Sequence, residues 1–156
     1  MLNPYPLRET DSYSFEFTTQ NNVEYKIYFI DYSYMFEDYE HITCPIYTFN
    51  IEIISGNSLV LDDRIKITVL KVVELFFLSI DNVVIYVCES LDKRQYARKR
   101  KFDMWFNNSN NESIIKEDGI AKIEGVDILN SILIHKDNKQ LEHLVKAFHE
   151  LNVYDD

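Results

Sequence analysis

The sequence predicts an α+β domain, a mostly antiparallel sheet packed by helices in the order β-β-β-α-β-α-β-β-α. Three observations predict it. Tyr13, Phe15 and Phe17 alternate with polar residues, and the alternation resumes at Val23, Tyr25, Ile27 and Phe29, the two-residue period of half-buried strands. Ile65, Val69, Val72, Val73, Phe76 and Phe77 recur at helical spacing. The β-branched run from Val83 to Cys88 is followed by a stretch, Lys93 to Phe106, that lacks glycine and proline, so a buried strand leads into a helix.

Taken in order, the first two strands are joined at Asn21-Asn22, residues that tolerate the left-handed backbone of a hairpin turn. From Asp31 to Cys44 acids and aromatics break the alternation, which predicts a long loop or a single helical turn. Pro45 marks the start of a third strand, Ile46 to Ile54, with Tyr47, Phe49, Ile51 and Ile53 on one face. Gly56-Asn57-Ser58 signals a turn. The next helix opens with Asp62 or Asp63 near its positive end. Its apolar residues extend far around the cylinder, so it is expected to lie across a sheet. Asp92 stands where the second helix needs an N-cap. Two strands, around Ser113 to Glu124 and Asp127 to His135, flank Gly125. A last helix opens near Asn138, with Leu141, Leu144, Val145, Phe148 and Leu151 as its apolar stripe. No repeat or linker interrupts the 156 residues, which predicts one domain, 1–156.

The 46% apolar share is enough for a packed core. Net charge is −10, which opposes non-specific attraction to nucleic acid or anionic lipid. That charge is uneven. Between Asp92 and Lys101 stand six basic side chains and one acid, a local +5 that leaves −15 for the rest. Two cysteines, Cys44 and Cys88, cannot form a disulfide framework. The N-terminus lacks a basic segment followed by an apolar core, and no apolar run approaches the ~18 residues of a membrane span. A cytoplasmic protein with no membrane contact is the expectation.

Only three glycines occur, each isolated, so glycine-rich phosphate cradles are absent. His41, His135, His143 and His149 show no metal-ligand spacing. Cys88 and Ser90 have no neighbouring histidine or nucleophile-elbow motif. No catalytic, metal or cofactor residue is therefore assigned. The candidate anion or partner site is Asp63, Arg64, Asp92, Arg94, Gln95, Arg98 and Trp105. Arg94 and Arg98 are four apart, and Phe102, Trp105 and Phe106 continue their side of the helix. Two readings stand for these arginines. They pair with Asp62, Asp63 or Asp92 as structural bridges, or they fork an external anion with Gln95 as a polar aid. Lys93, Lys99, Arg100 and Lys101 are expected in solvent. A candidate interface loop presents Tyr32, Tyr34, Phe36 and Tyr39, which would equally serve to cover a sheet edge.

Several signatures occur together: Asn3-Pro4-Tyr5-Pro6-Leu7, Tyr13-x-Phe15-x-Phe17-Thr18, Tyr25-x-x-Tyr28-Phe29, Asp63-Arg64-Ile65 with Thr68, and Phe76-Phe77. The last is Cys88-x-Ser90-x-Asp92-x-Arg94-Gln95-x-x-Arg98-x-x-x-Phe102-x-x-Trp105-Phe106. In this order they resemble a family of small bacterial proteins of about this length, a resemblance over nearly the whole chain that implies no particular activity. The element order also resembles that of acetyl-CoA-dependent N-acetyltransferases. In that family a glycine-rich turn holds the cofactor pyrophosphate at a helix start. Here the matching stretch, Asp62-Asp63-Arg64-Ile65-Lys66-Ile67, has no glycine and opens with two acids. The reading that follows is a binding protein contacting a protein or anionic partner through the basic helix and the acidic-aromatic loop. The alternative is a degenerate acetyltransferase-like enzyme, or an acyl-CoA- or nucleotide-binding domain.

Overall fold

A computed structural model describes residues 2–57, 62–88, 93–109 and 111–152. Seven strands form one sheet: β1 (Arg8–Asp11), β2 (Ser14–Thr18), β3 (Glu24–Asp31), β4 (Ile46–Ser55), β5 (Val83–Val87), β6 (Ile114–Ile123) and β7 (Val126–His135). Their order in the sheet is β1-β2-β3-β4-β5-β7-β6. The helices are α1 (Asp63–Phe76), α2 (Gln95–Asn108) and α3 (Leu141–Leu151). This is the α+β class and element order that the patterning predicts, with one strand added. Strand β1, Arg-Glu-Thr-Asp, is exposed throughout and pairs only with β2. An all-polar edge strand leaves no alternation to read. The contacts gather into two compact units, Met1–Ile30 with Phe49–Leu78 and Asp31–Thr48 with Ser79–Asp156.

In the first unit β2 and β3 form the expected hairpin, with Asn22 in the left-handed region at φ 60°. Phe17 faces Tyr25 across the pair and stacks on it at 5.2 Å. Helix α1 buries Ile65, Thr68, Val69, Val72 and Phe76. The Phe76 ring stacks on Phe29 at 4.0 Å and meets Tyr13 edge-on at 5.0 Å. Of the four residues expected on one face of β4, only Phe49 is buried, while Ile51 and Ile53 face solvent.

In the second unit β4 pairs with β5 in parallel over Ile46–Thr48, since α1 carries the chain across between them. The β6–β7 hairpin closes on Glu124-Gly125, both at positive φ, the backbone that a two-residue turn requires. Strand β7 lies between β5 and β6 and is buried from Leu129 to Ile134. Alternation gives its two faces different work. One face joins Ile132 and Ile134 to Ile46, Val83 and Ile85, and Leu144, Ala147 and Phe148 of α3 fill the same cluster. The other presents Leu129, Ser131 and Leu133 on the side of α2.

Two helix starts differ from expectation. Helix α2 begins at Gln95 with Arg94 as its N-cap residue, because Lys93 sits in the left-handed region at φ 59° and turns the chain before it. Asp92, the expected cap, lies outside the described residues. Helix α3 begins at Leu141 with Gln140 as N-cap residue. Asn138 instead organises the preceding turn, its Oδ1 accepting from the Gln140 N–H at 2.8 Å. Gln140 reaches the long loop, its Oε1 accepting from the N–H groups of Thr43 and Cys44 at 2.9 and 3.2 Å. That loop holds the expected single turn, a 3-10 helix over Ser33–Phe36. Among the described residues no helix is long and apolar enough to cross a membrane.

Gly119 on β6 has a packing reason. A Cβ built there would lie 2.6 Å from the Asn152 carboxamide carbon. That carboxamide accepts from Asn130 Nδ2 and donates to the Phe148 carbonyl, both at 2.7 Å, pinning the end of α3. Gly119→Ala should destabilise by about 1 kcal/mol and lower Tm by roughly 2–4 °C. The same substitution in an Asn152→Ala background should cost clearly less, as a double-mutant cycle by thermal unfolding would measure.

Candidate functional site

Helix α2 offers little apolar surface. Phe102 stacks on Tyr86 at 4.0 Å, and Gln95 is the only fully buried residue among the helix's described side chains. The Tyr96 hydroxyl donates to Asp127 Oδ2 at 2.6 Å, and ion pairs add to the attachment. Lys99 Nζ lies 2.6 Å from Asp103 Oδ1 and 2.8 Å from Asp118 Oδ1 on β6. Lys116 Nζ reaches the same two carboxylates at 2.8 and 2.7 Å. Ser131 on β7 donates to Asp118 Oδ1 at 2.6 Å. Both ammonium groups are sunk in the layer, at 13% and 10% side-chain exposure, while Asp118 keeps one side in water at 54%. Burial alone would raise the Asp118 pKa, but hydrogen bonds from Lys116, Lys99 and Ser131 hold it down at about 2. Burial likewise disfavours the Lys99 charge, and the two aspartates reverse that and raise its pKa.

The basic residues of this stretch therefore divide. Lys99, expected in solvent, is consumed by the network because it faces the sheet. Lys101 lies with its ammonium 4.9 Å from the Trp105 ring centroid, and burial lowers its pKa. Lys93 and Arg100 are exposed as expected, as is Arg94. Arg94 is the N-cap residue, and its carbonyl accepts from the Arg98 N–H one turn on at 3.1 Å. Arg98 is half-buried, close enough to Tyr86 and Cys88 to act on both electrostatically.

Behind the helix start the layer turns inward. Cys88 is buried, and burial pushes its thiol pKa up, as it does the Tyr86 phenol hydrogen-bonded to it. A thiol held protonated at neutral pH is a poor nucleophile. Gln95 is 9% exposed, and its Oε1 has no hydrogen-bond partner. Gln95, Lys99 and Phe102 share the inward face of α2 by their spacing of four and seven.

Asp63 and Arg64 belong to the first unit, at the start of α1. Asp62 is the N-cap residue and accepts from the Ile65 N–H at 2.8 Å and from the Tyr5 hydroxyl at 2.6 Å. Arg64 lies over the Tyr5 ring at 3.9 Å and donates to the Asn3 carbonyl at 2.9 Å. Asp63 is exposed in the first turn. The carboxylate of Asp62 thus stands where an anion would meet the helix start, and Arg64 is turned toward the N-terminal segment.

The loop aromatics separate too. Phe36 is a core residue of the α3 cluster, with Tyr32 and Tyr39 packed against it, so Phe36 cannot serve as an interface anchor. Tyr34 is 62% exposed. The structure adds a pairing that spacing could not show. His41 and His143, far apart in sequence, stack at 5.2 Å and line a 130 Å³ cavity with Tyr39, Lys146 and Glu150. Among the described residues no three metal-ligating side chains gather.

Residues 61–150, more than half of the chain, match the model of a family of unknown function, DUF6169. The chain belongs to that family. The DUF6169 match contains the Asp63-Arg64-Ile65 and Cys88-to-Phe106 signatures, whereas those at Asn3, Tyr13 and Tyr25 lie outside it. No curated protein matches the sequence significantly.

The network makes a pH prediction with a definite sign. The folded-state pKa of Asp118 is depressed from 3.8 to about 2. Its stabilisation is therefore complete above the ordinary carboxylate value and is lost as pH falls toward the lower one. Asp118 is half-exposed, so the effect should stay below about 1 kcal/mol. Denaturant unfolding between pH 5 and pH 2 should show a shallower pH dependence in Asp118→Asn than in the parent protein.

Proposed function

We propose that this protein acts by binding, engaging an acidic protein or another anionic partner at the start of α2. The observation that carries the reading is segregated charge. Lys93, Arg94 and Arg100 stand exposed, two just before α2 and one in its second turn, on a molecule of net charge −10. Like charge over most of the surface directs an anionic partner to this one region. Tyr34 on the long loop supplies an exposed aromatic of the kind that anchors interfaces. Cys44 and Cys88 are free thiols, which suits a reducing cytoplasm. The bacterial setting follows from the motif resemblance.

A second reading is favoured by the parallel β4–β5 pair with α1 between them, the order that resembles the N-acetyltransferases. Weighing against it is Asp62, which caps α1 and places negative charge where that family holds pyrophosphate.

The experiment is affinity capture with the parent protein and with an Arg94→Glu/Arg100→Glu variant whose circular dichroism and Tm match the parent. Loss of the captured partner from the variant is the expected result. An unchanged set of partners removes α2 from the interface. Calorimetry with acetyl-CoA should give no saturable heat, and saturable binding would promote the second reading.

A further inference from the structure

The two edges of the seven-stranded sheet are built differently. Strand β1 has four exposed polar residues and slips register between Glu9 and Asp11, devices that discourage pairing with another chain. Strand β6, at the other edge, has ten residues in unbroken register with β7. One bond shows which of its backbone groups are spent on β7. The Lys136 N–H donates to the Ser113 carbonyl at 2.8 Å, so the odd-numbered residues of β6 exchange bonds with β7. The N–H and C=O groups of Lys116, Asp118, Ile120 and Lys122 therefore point outward. The outward N–H of Ile114 is met by the Asn111 carbonyl, and among the described residues no strand pairs with the outward groups that follow. An open depression of 350 Å³ lies at Asp118, Gly119, Ile120, His149 and Asn152. Asp118 faces α2, where it meets Lys99, and Gly119 faces Asn152 at the end of α3. A depression lined from both faces lies along the outer edge of the strand.

An edge of this kind accepts another strand, and the charges along it specify which. We propose that β6 pairs antiparallel with β6 of a second copy of this chain, about a two-fold axis at Ile120, so that the two sheets join. Hydrogen bonding across the edge requires outward-pointing residues to face one another, which restricts the pairing to even-numbered residues. Centring on Lys116, Glu117, Asp118 or Lys122 would oppose a charge to its own copy. Centring on Gly119 would oppose Lys116 to Lys122, and centring on Ala121 would oppose Asp118 to Glu124. Centring on Ile120 puts Asp118 opposite Lys122, Lys116 opposite Glu124 of the turn, and Ile120 opposite its own copy. Opposite charges facing across strands stabilise a pair, and like charges destabilise it. Two-fold symmetry makes each of these contacts twice. Ile120 and Lys122 are exposed, and Asp118 keeps half its side chain in water outside its network. Each copy has a net charge of −10, but physiological salt screens that repulsion beyond about 8 Å. The interface does not depend on the partner proposed for α2.

The test is sedimentation velocity on the full chain at physiological salt over a range of concentrations. A species of twice the 18.6 kDa chain mass should grow with concentration. Ile120→Pro removes an outward donor and leaves the bonds to β7 intact. It should keep the circular dichroism and Tm of the parent and sediment as a monomer. Crosslinking reads the register. In a Cys44→Ser background, Ile120→Cys places two thiols on Cα atoms about 5.5 Å apart, within reach of a disulfide. Ile123→Cys places them ~20 Å apart by the strand rise. Oxidation should give a covalent dimer from Ile120→Cys and none from Ile123→Cys. A parent that stays monomeric at every concentration overturns the proposal. So does a dimer that survives Ile120→Pro, or equal crosslinking at the two positions. Should Ile120→Pro fail to fold, the two crosslinking variants decide the matter by themselves.

Discussion

Helix α2 depends on two lysines and two aspartates. Lys99 and Lys116 bridge Asp103 and Asp118 in a closed set of four charges, with Ser131 completing the hydrogen bonds of Asp118. Helices are ordinarily held by an apolar stripe, as α3 is by Leu144, Ala147 and Phe148. Helix α2 has the Phe102–Tyr86 stack and little more. An isolated surface pair would be worth too little to fix it. Here the ammonium groups are sunk in the layer, where attraction is screened less, and the carboxylates keep enough water to limit the desolvation cost.

This arrangement explains why the candidate site lies at the beginning of α2. The network absorbs Lys99 in the second turn, while Lys93 and Arg94, just before the helix, stay exposed. The layer beneath is polar, so a glutamine can be buried there as part of the same environment. The opposite face of the sheet has a closely packed apolar cluster that includes Phe36. Strand β7 separates the two environments, contributing Ile132 and Ile134 to one and Ser131 to the other.

The start of α1 shows what a satisfied helix terminus looks like in the same chain. Asp62 accepts from the backbone and from Tyr5, and Thr68 accepts from the Tyr5 N–H at 2.8 Å. Arg64 covers the Tyr5 ring. An aspartate cap with a tyrosine and an arginine arranged around it serves the stability of that unit.

Local period determined most of the fold. The β2–β3 hairpin, α1, β5, the β6–β7 hairpin and the stripe of α3 were legible because each repeats every two or 3.6 residues along the chain. Strand β1 was not, since an exposed edge of Arg-Glu-Thr-Asp has no buried face to write a pattern. The gathering of positive charge on this stretch was visible, but the partners of its side chains were not. Which lysine is spent on the network, whether Phe36 faces solvent or core, and whether His41 meets His143 all depend on partners far away in sequence. Composition specified how much positive charge α2 would bear; only the packing of β6 and β7 against it decided which charges were neutralised, because ion pairs and burial are set by distance in space.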